Sequence, residues 1–306
     1  KKGQLNGTFP TIFQPLIVLT NIYLYLVMSL FKRCLRQYIE HHLHVSLALI
    51  SLVFLTYKYA RLPIDWNYMG FAFFGTIVAY TYIKNVPSQV SFKSGVFLVL
   101  QRSPWWVHAM GIISVLFAAT LSDLQQLGLI IFVILSLAYI LPIPFKIAPF
   151  RDYGAIKIII VALVWSGISV LLPLLLRDPI SWEIVLLYLA QTLWIIVLTI
   201  PYEIRDSGKD VLRHPTWPQK LGLWRTKILG TVLLMICAVI HFNLSVGLEI
   251  ESEQSITFWG SSFLFALGFT WLGLLIAQSK QSYWYSAFWI EAIPIAWLLM
   301  SYFTGY

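Results

Sequence analysis

Residues 182–210 read WEIVLLYLAQTLWIIVLTIPYEIRDSGKD. The first nineteen, Trp182 to Ile200, form an apolar run long enough to cross a bilayer, since a hydrocarbon core needs about 20 apolar residues per helix. Directly after it, Glu203, Asp206 and Asp210 place three carboxylates at spacings of three and four. That spacing gathers side chains on one face of a helix. A carboxylate cluster on the end of a membrane span suggests a cation site.

The remainder of the chain has the same character. Of 306 residues, 59% are hydrophobic and 11% charged, and the mean hydropathy is +0.78. Soluble domains carry about 25% charge. Apolar runs recur at 43–60, 67–84, 105–122, 124–143, 154–175, 181–200, 226–248, 256–277 and 286–305, which predicts nine spans in one polytopic all-α domain. A tenth candidate lies upstream at 11–31.

Lys and Arg placement gives the topology a second, independent reading, because short cytoplasmic loops carry excess positive charge. Alternate loops place sixteen cationic residues on one side, from Lys32 through Lys84, Lys146 and Lys209 to Lys280. The other side has only Lys58, Arg61 and Arg177, and its loop with Glu249, Glu251 and Glu253 has none. The residue-32 side is therefore expected in the cytoplasm, and the C-terminus outside. The net charge of +8 follows from this orientation and from contact with anionic membrane lipid, so nucleic acid is not an expected partner.

Residues 1–31 read as an N-terminal extension or extra apolar helix, with 32–306 as the main domain. The basic, amphipathic segment after Met28 resembles the start of a cytoplasmic N-terminus, and no small-residue cleavage pattern marks a signal peptide. Cys34 and Cys237 are isolated, which implies neither a disulfide framework nor a CxxC metal site. Walker-type, Rossmann, GxSxG and HExxH patterns do not occur.

The motif loop after the sixth of nine spans, with Glu203-Ile-Arg-Asp206-Ser-Gly-Lys-Asp210 followed by Thr216-x-Pro218 and Leu221-Gly222, resembles the UbiA superfamily of intramembrane prenyltransferases. The string is similar to that family's second aspartate-rich motif. Lys157 to Trp165, followed by Pro173, is a weaker echo of span five in bacterial members. The topological likeness covers about 32–306, and the motif likeness about thirty residues.

The resemblance implies helices arranged around a central cavity in a bacterial inner membrane, with cytoplasmic site loops. It implies transfer of a prenyl group from a polyprenyl diphosphate to a hydrophobic or aromatic acceptor, such as a quinone precursor, with Mg²⁺. The leaving diphosphate must be neutralised as its bond breaks, and Mg²⁺ bridges carboxylates to phosphate oxygens. Asp206, Asp210 and Glu203 would hold the metal. Arg205, Lys209 and Lys220 would contact phosphate, Arg by a bidentate fork.

At the family's first motif the chain departs. Span two aligns Thr76, Tyr80 and Lys84 with the family's Asn-x-x-x-Asp-x-x-x-Asp, and no Asp or Glu occurs between Asp65 and Asp123. Two readings follow. Lys84 replaces one metal as a fixed charge on the diphosphate, helped by Tyr80, Tyr82 and Asn85, which places Lys84 beside Asp206 and Asp210 in catalysis. Alternatively, the metal set has decayed and the chain is an isoprenoid- or lipid-binding protein of the same fold. A transporter is a third class, but it would carry its charges at mid-membrane, whereas these gather at cytoplasmic ends.

Polar residues inside spans are costly unless paired. Gln191 reads either as a cavity residue or as an interhelical hydrogen bond, while His241, Asn243 and Glu291 read as packing or interfacial groups. Glu40-His41-His42-x-His44 lies at the cytoplasmic end of span one, where histidines reach the interface. Trp105-Trp106 and Tyr283-Trp284-Tyr285 match an aromatic belt.

Overall fold

The computed structural model describes residues 14–87, 91–141, 148–175, 181–208, 214–248 and 253–303, with the side chains of 14–22, 245–248 and 253–261 excepted. The chain divides into two compact units, Lys1–His41 and His42–Tyr306. In the first, α1 (Gln14–Glu40) carries an i,i+4 ion pair between Arg36 and Glu40 at 2.8 Å.

Among its described residues the regular structure of the second unit is helical, apart from an isolated bridge between Tyr153 and His214. Its helices are α2 (Leu43–Tyr59), α3 (Trp66–Asn85), α4 (Phe92–Arg102), α5 (Trp105–Ala118), α6 (Asp123–Ile140), α7 (Gly154–Ser166), α8 (Leu172–Leu174), α9 (Trp182–Asp206), α10 (Trp217–Leu221), α11 (Leu223–Leu248), α12 (Glu253–Ile276) and α13 (Ile293–Phe303). Two π-helical stretches interrupt the series, Gly167–Leu171 between α7 and α8 and Tyr285–Ile290 before α13. Among the described residues, seven of the nine apolar intervals fall mainly on one α-helix each, while 154–175 and 286–305 are each divided between a π stretch and α-helix. Five segments are long and apolar enough to cross a membrane: Asp123–Ile140, Gly154–Leu174, Trp182–Asp206, Leu223–Leu244 and Tyr285–Phe303. A sixth arises if Tyr23–Glu40 and Leu43–Tyr59 are taken as one.

Local chemistry sets the helix starts. Asp65 accepts from the backbone N–H groups of Asn67 at 2.9 Å and Tyr68 at 3.1 Å, capping α3. Ser122 with Gln125, and Thr216 with Gln219, form capping boxes at α6 and α10. Large apolar side chains stay exposed on the outer faces of α5, α6 and α11, among them Val115, Leu116, Ile131, Ile134, Val239 and Phe242. Such a surface is untenable in water and natural against lipid.

The main core centres on α9, which packs on α7, α11 and α12. Trp194 and Trp297 meet edge to face at 5.4 Å between centroids, and their indole N–H groups donate to Thr270 Oγ1 and Ser262 Oγ. These bonds satisfy the polar tips of two fully buried rings. A second cluster joins α2 and α3 through Tyr57, Tyr68 and Phe71, where the Tyr68 hydroxyl donates to the Ile168 carbonyl in the first π stretch at 2.5 Å.

The chain leading into α10 is tied to the start of α7. Gly154 N–H donates to the His214 carbonyl at 3.3 Å, His214 N–H donates to the Asp152 carbonyl at 3.4 Å, and the His214 and Tyr153 rings stack. A Cβ on Gly154 would lie 2.6 Å from the Pro215 carbonyl. Gly154→Ala is therefore expected to cost about 1–3 kcal/mol through forced backbone movement. Thermal unfolding in detergent tests this against Gly208→Ala, whose Cβ would meet nothing within 4 Å; equal melting of the two variants would count against the contact.

Candidate functional site

On α7, Lys157, Val161 and Trp165 recur every four residues, and on α9 Ile195, Leu198, Thr199, Tyr202, Glu203 and Asp206 follow the three-four pattern. Each series puts its side chains on one helical face, and the two faces line one cavity of about 260 Å³. Ala48 of α2, Tyr80 of α3, Tyr139 of α6, and Glu291 with Pro294 complete its wall.

The wall is graded. Ile158, Val161, Ile195 and Leu198 make it apolar, while Lys157, Glu203, Asp206 and Glu291 bring charge. Lys157 Nζ meets Glu203 Oε1 at 2.9 Å, with both side chains largely buried. Asp206 is gripped by its neighbour: Arg205 Nε donates to Oδ1 and Nη2 to Oδ2, each at 2.7 Å. Arg205 also lies over the ring faces of Tyr202 and Tyr283, at 5.3 and 5.9 Å from their centroids, a cation–π arrangement. Trp165 Nε1 donates to the Tyr80 hydroxyl at 3.1 Å, which fixes two rings of the wall.

The second π stretch is bolted onto α9. Tyr202 hydroxyl donates to the Ser286 carbonyl at 2.6 Å, and Arg205 Nη1 donates to Ser286 Oγ at 2.5 Å. Pro201 cannot continue the α9 hydrogen-bond ladder as a donor, and its own carbonyl accepts from Gln281 Nε2 at 2.7 Å.

Of the residues expected from the sequence, Asp206, Glu203 and Tyr80 share the cavity, and Arg205 adjoins it through Asp206. Lys84 at the end of α3 and Lys220 in α10 are exposed, and Gln191 is buried in α9; none of the three is among the lining residues. Lys209 and Asp210 lie outside the described residues. Near Lys84, Arg151 Nη1 donates to the Ile83 carbonyl at 3.0 Å, and burial pushes this guanidinium below its ordinary proton affinity, opposed by Asp152 and Tyr139. Among the described residues no group of three His, Cys, Asp or Glu side chains converges on one point.

Three assignments change. Glu291, expected as a packing or interfacial group, is on the cavity wall. His44, expected to reach the interface, is buried, with Nε2 2.9 Å from the Phe288 carbonyl and its ring stacked on Phe288. Lys157, read in the sequence as one of the cytoplasmic-side cations and as part of an apolar echo, is the cation lining the cavity. Its signal was positional: it precedes Val161 and Trp165 by four and eight residues on the same α7 face.

The class that the fold defines is an all-helical integral membrane protein with a charged, aromatic-lined cavity. Comparison with family models, with curated proteins and with solved structures finds no match.

Removing one member of a buried ion pair strands the other, typically at about 3–5 kcal/mol, whereas replacing both with apolar side chains is close to neutral. Lys157→Met is expected to destabilise by about 3 kcal/mol, and Lys157→Met combined with Glu203→Leu to recover most of it. Unfolding of the three variants in detergent checks this; additive losses would show that the pair does not hold the helices.

Proposed function

We propose that the protein is a UbiA-like prenyltransferase of the bacterial cytoplasmic membrane, with all nine helical segments spanning and the site loops inside. It moves a prenyl group from a polyprenyl diphosphate to a hydrophobic, aromatic acceptor. The single observation carrying this reading is the joint presence of Glu203 and Asp206, the two described motif carboxylates, in a cavity whose remaining wall is mostly apolar and aromatic.

The apolar stretch of Ala48, Ile158, Val161, Ile195 and Leu198 suits the isoprenoid tail. Lys157 and Arg205 at the charged end suit a diphosphate, Arg205 as a planar fork and Lys157 as a point charge. The ring faces of Tyr80, Trp165 and Tyr202 suit the positive charge that develops on the allylic carbon. Mg²⁺ in such sites is held by one or two carboxylates plus substrate phosphates, and Glu203 and Asp206, one turn apart on the wall, fit that donor set. When bound, the ion would neutralise charge on the departing diphosphate. Substrate entry then requires Lys157 and Arg205 to exchange carboxylate partners for phosphate oxygens.

The exposed position of Lys84 and the absence of Asp and Glu from α3 favour one other reading, an isoprenoid-binding protein of the same fold without transfer. Purified protein supplied with Mg²⁺, with geranyl, farnesyl or geranylgeranyl diphosphate and with mixed aromatic acceptors separates the two. A transferase releases pyrophosphate, stops when the metal is chelated, and slows about 100-fold or more in Asp206→Asn, the usual scale for losing one electrostatic contact to a reacting group. Tight donor binding without release would identify the binding protein instead.

A further inference from the structure

Prenyl transfer to a protic acceptor liberates a proton as well as pyrophosphate, so the site needs a group to receive it. Three carboxylates line the cavity, Glu203, Asp206 and Glu291. Asp206 has both oxygens engaged by Arg205, and Glu203 is paired with Lys157. Glu291 has no ion pair of its own among the described residues; it interacts with the Tyr202 hydroxyl and the Arg205 guanidinium on α9 and with Tyr80 on α3.

Its placement is built into the backbone. The π stretch Tyr285–Ile290 ends at Glu291, whose N–H reaches back five residues to the Ser286 carbonyl at 3.4 Å. Ser286 is in turn held by Tyr202 and Arg205. The carboxylate is thus anchored to the same face of α9 that presents Asp206. Stretches of π-helix are rare and often occur at functional sites.

We propose that Glu291 is the catalytic base that takes the acceptor's proton. This assignment rests on the transferase reading. In the reaction, the C1–O bond of the allylic diphosphate breaks and its electron pair leaves on pyrophosphate. A nucleophilic oxygen or ring carbon of the acceptor forms the new bond to C1, and the acceptor's proton passes to the Glu291 carboxylate and from there to water. Tyr80, Trp165 and Tyr202 supply ring faces on which an aromatic acceptor can stack.

The test uses the full chain in lipid nanodiscs with Mg²⁺, farnesyl diphosphate and 4-hydroxybenzoate, scoring pyrophosphate, farnesylated phenol and farnesol separately. Glu291→Gln is expected to lose about 100-fold in farnesylated phenol, the scale of a general base. Pyrophosphate release continues in that variant, with farnesol formed by water capture. Glu291→Asp restores part of the coupling. A nitrophenol acceptor, already ionised at the assay pH, rescues Glu291→Gln, which a merely misfolded variant could not show. Farnesylation by Glu291→Gln at the wild-type rate overturns the assignment and leaves the transferase reading intact. So does parallel loss of release and transfer without rescue. A wild-type protein that releases no pyrophosphate overturns the transferase reading, and this assignment falls with it.

Discussion

The contact between Lys157 and Glu203 sets the geometry on which the cavity depends. Taking either charge out of water into an apolar helix bundle costs several kcal/mol, repaid only by a well-placed partner. At 2.9 Å, the pair fixes how α7 and α9 are rotated about their axes. With that rotation set, Val161 and Trp165 follow Lys157 onto the cavity face, and Thr199, Tyr202 and Asp206 accompany Glu203. The aromatic and apolar walls are then consequences of helical repeat, not separate arrangements.

The same region is braced at the start of α7 and at the end of α9. Gly154, at the start of α7, admits the backbone of Pro215 and Thr216 at a distance where no side chain would fit. Gln219 reaches from α10 to the Ser207 carbonyl at the end of α9, at 2.8 Å. The Thr216-x-Pro218 segment therefore works as a strut between α7 and α9. That explains its place after the acidic motif without assigning it any contact with a ligand.

Most helices were legible because a long apolar run has few alternatives to a helix when its backbone must satisfy its own hydrogen bonds. The short α4 was not read from the sequence, because Lys93, Gln101 and Arg102 interrupt its apolar residues and only the Ser91 cap marks its start. In the site, Glu203, Arg205 and Asp206 were legible because they are neighbours in sequence. Tyr80 came from alignment of the second span. Lys157 and Glu291 join them only through packing of α7 and of the turn before α13 against α9, and no local pattern encodes that meeting. Lys84 was drawn in by its charge, but it occupies the end of α3, beyond the last turn that carries Tyr80 inward. Both π stretches were invisible, since the apolar residues of Gly167–Leu171 and Tyr285–Ile290 suit an α-helix equally well.

A π turn amounts to one residue more than an α-helix would use to cover the same path. Each α-helical residue advances the chain by about 100° around the axis, so this extra residue sets the phase of everything beyond it. For Tyr285–Ile290 that phase is held by Ser286, through bonds from Tyr202 and Arg205. Excising one residue there would turn Glu291 and Pro294 off the wall while leaving the apolar pattern of α13 nearly unchanged. The composition of the cavity thus depends on chain length at one point, so two sequences almost identical in residue content could enclose chemically different spaces.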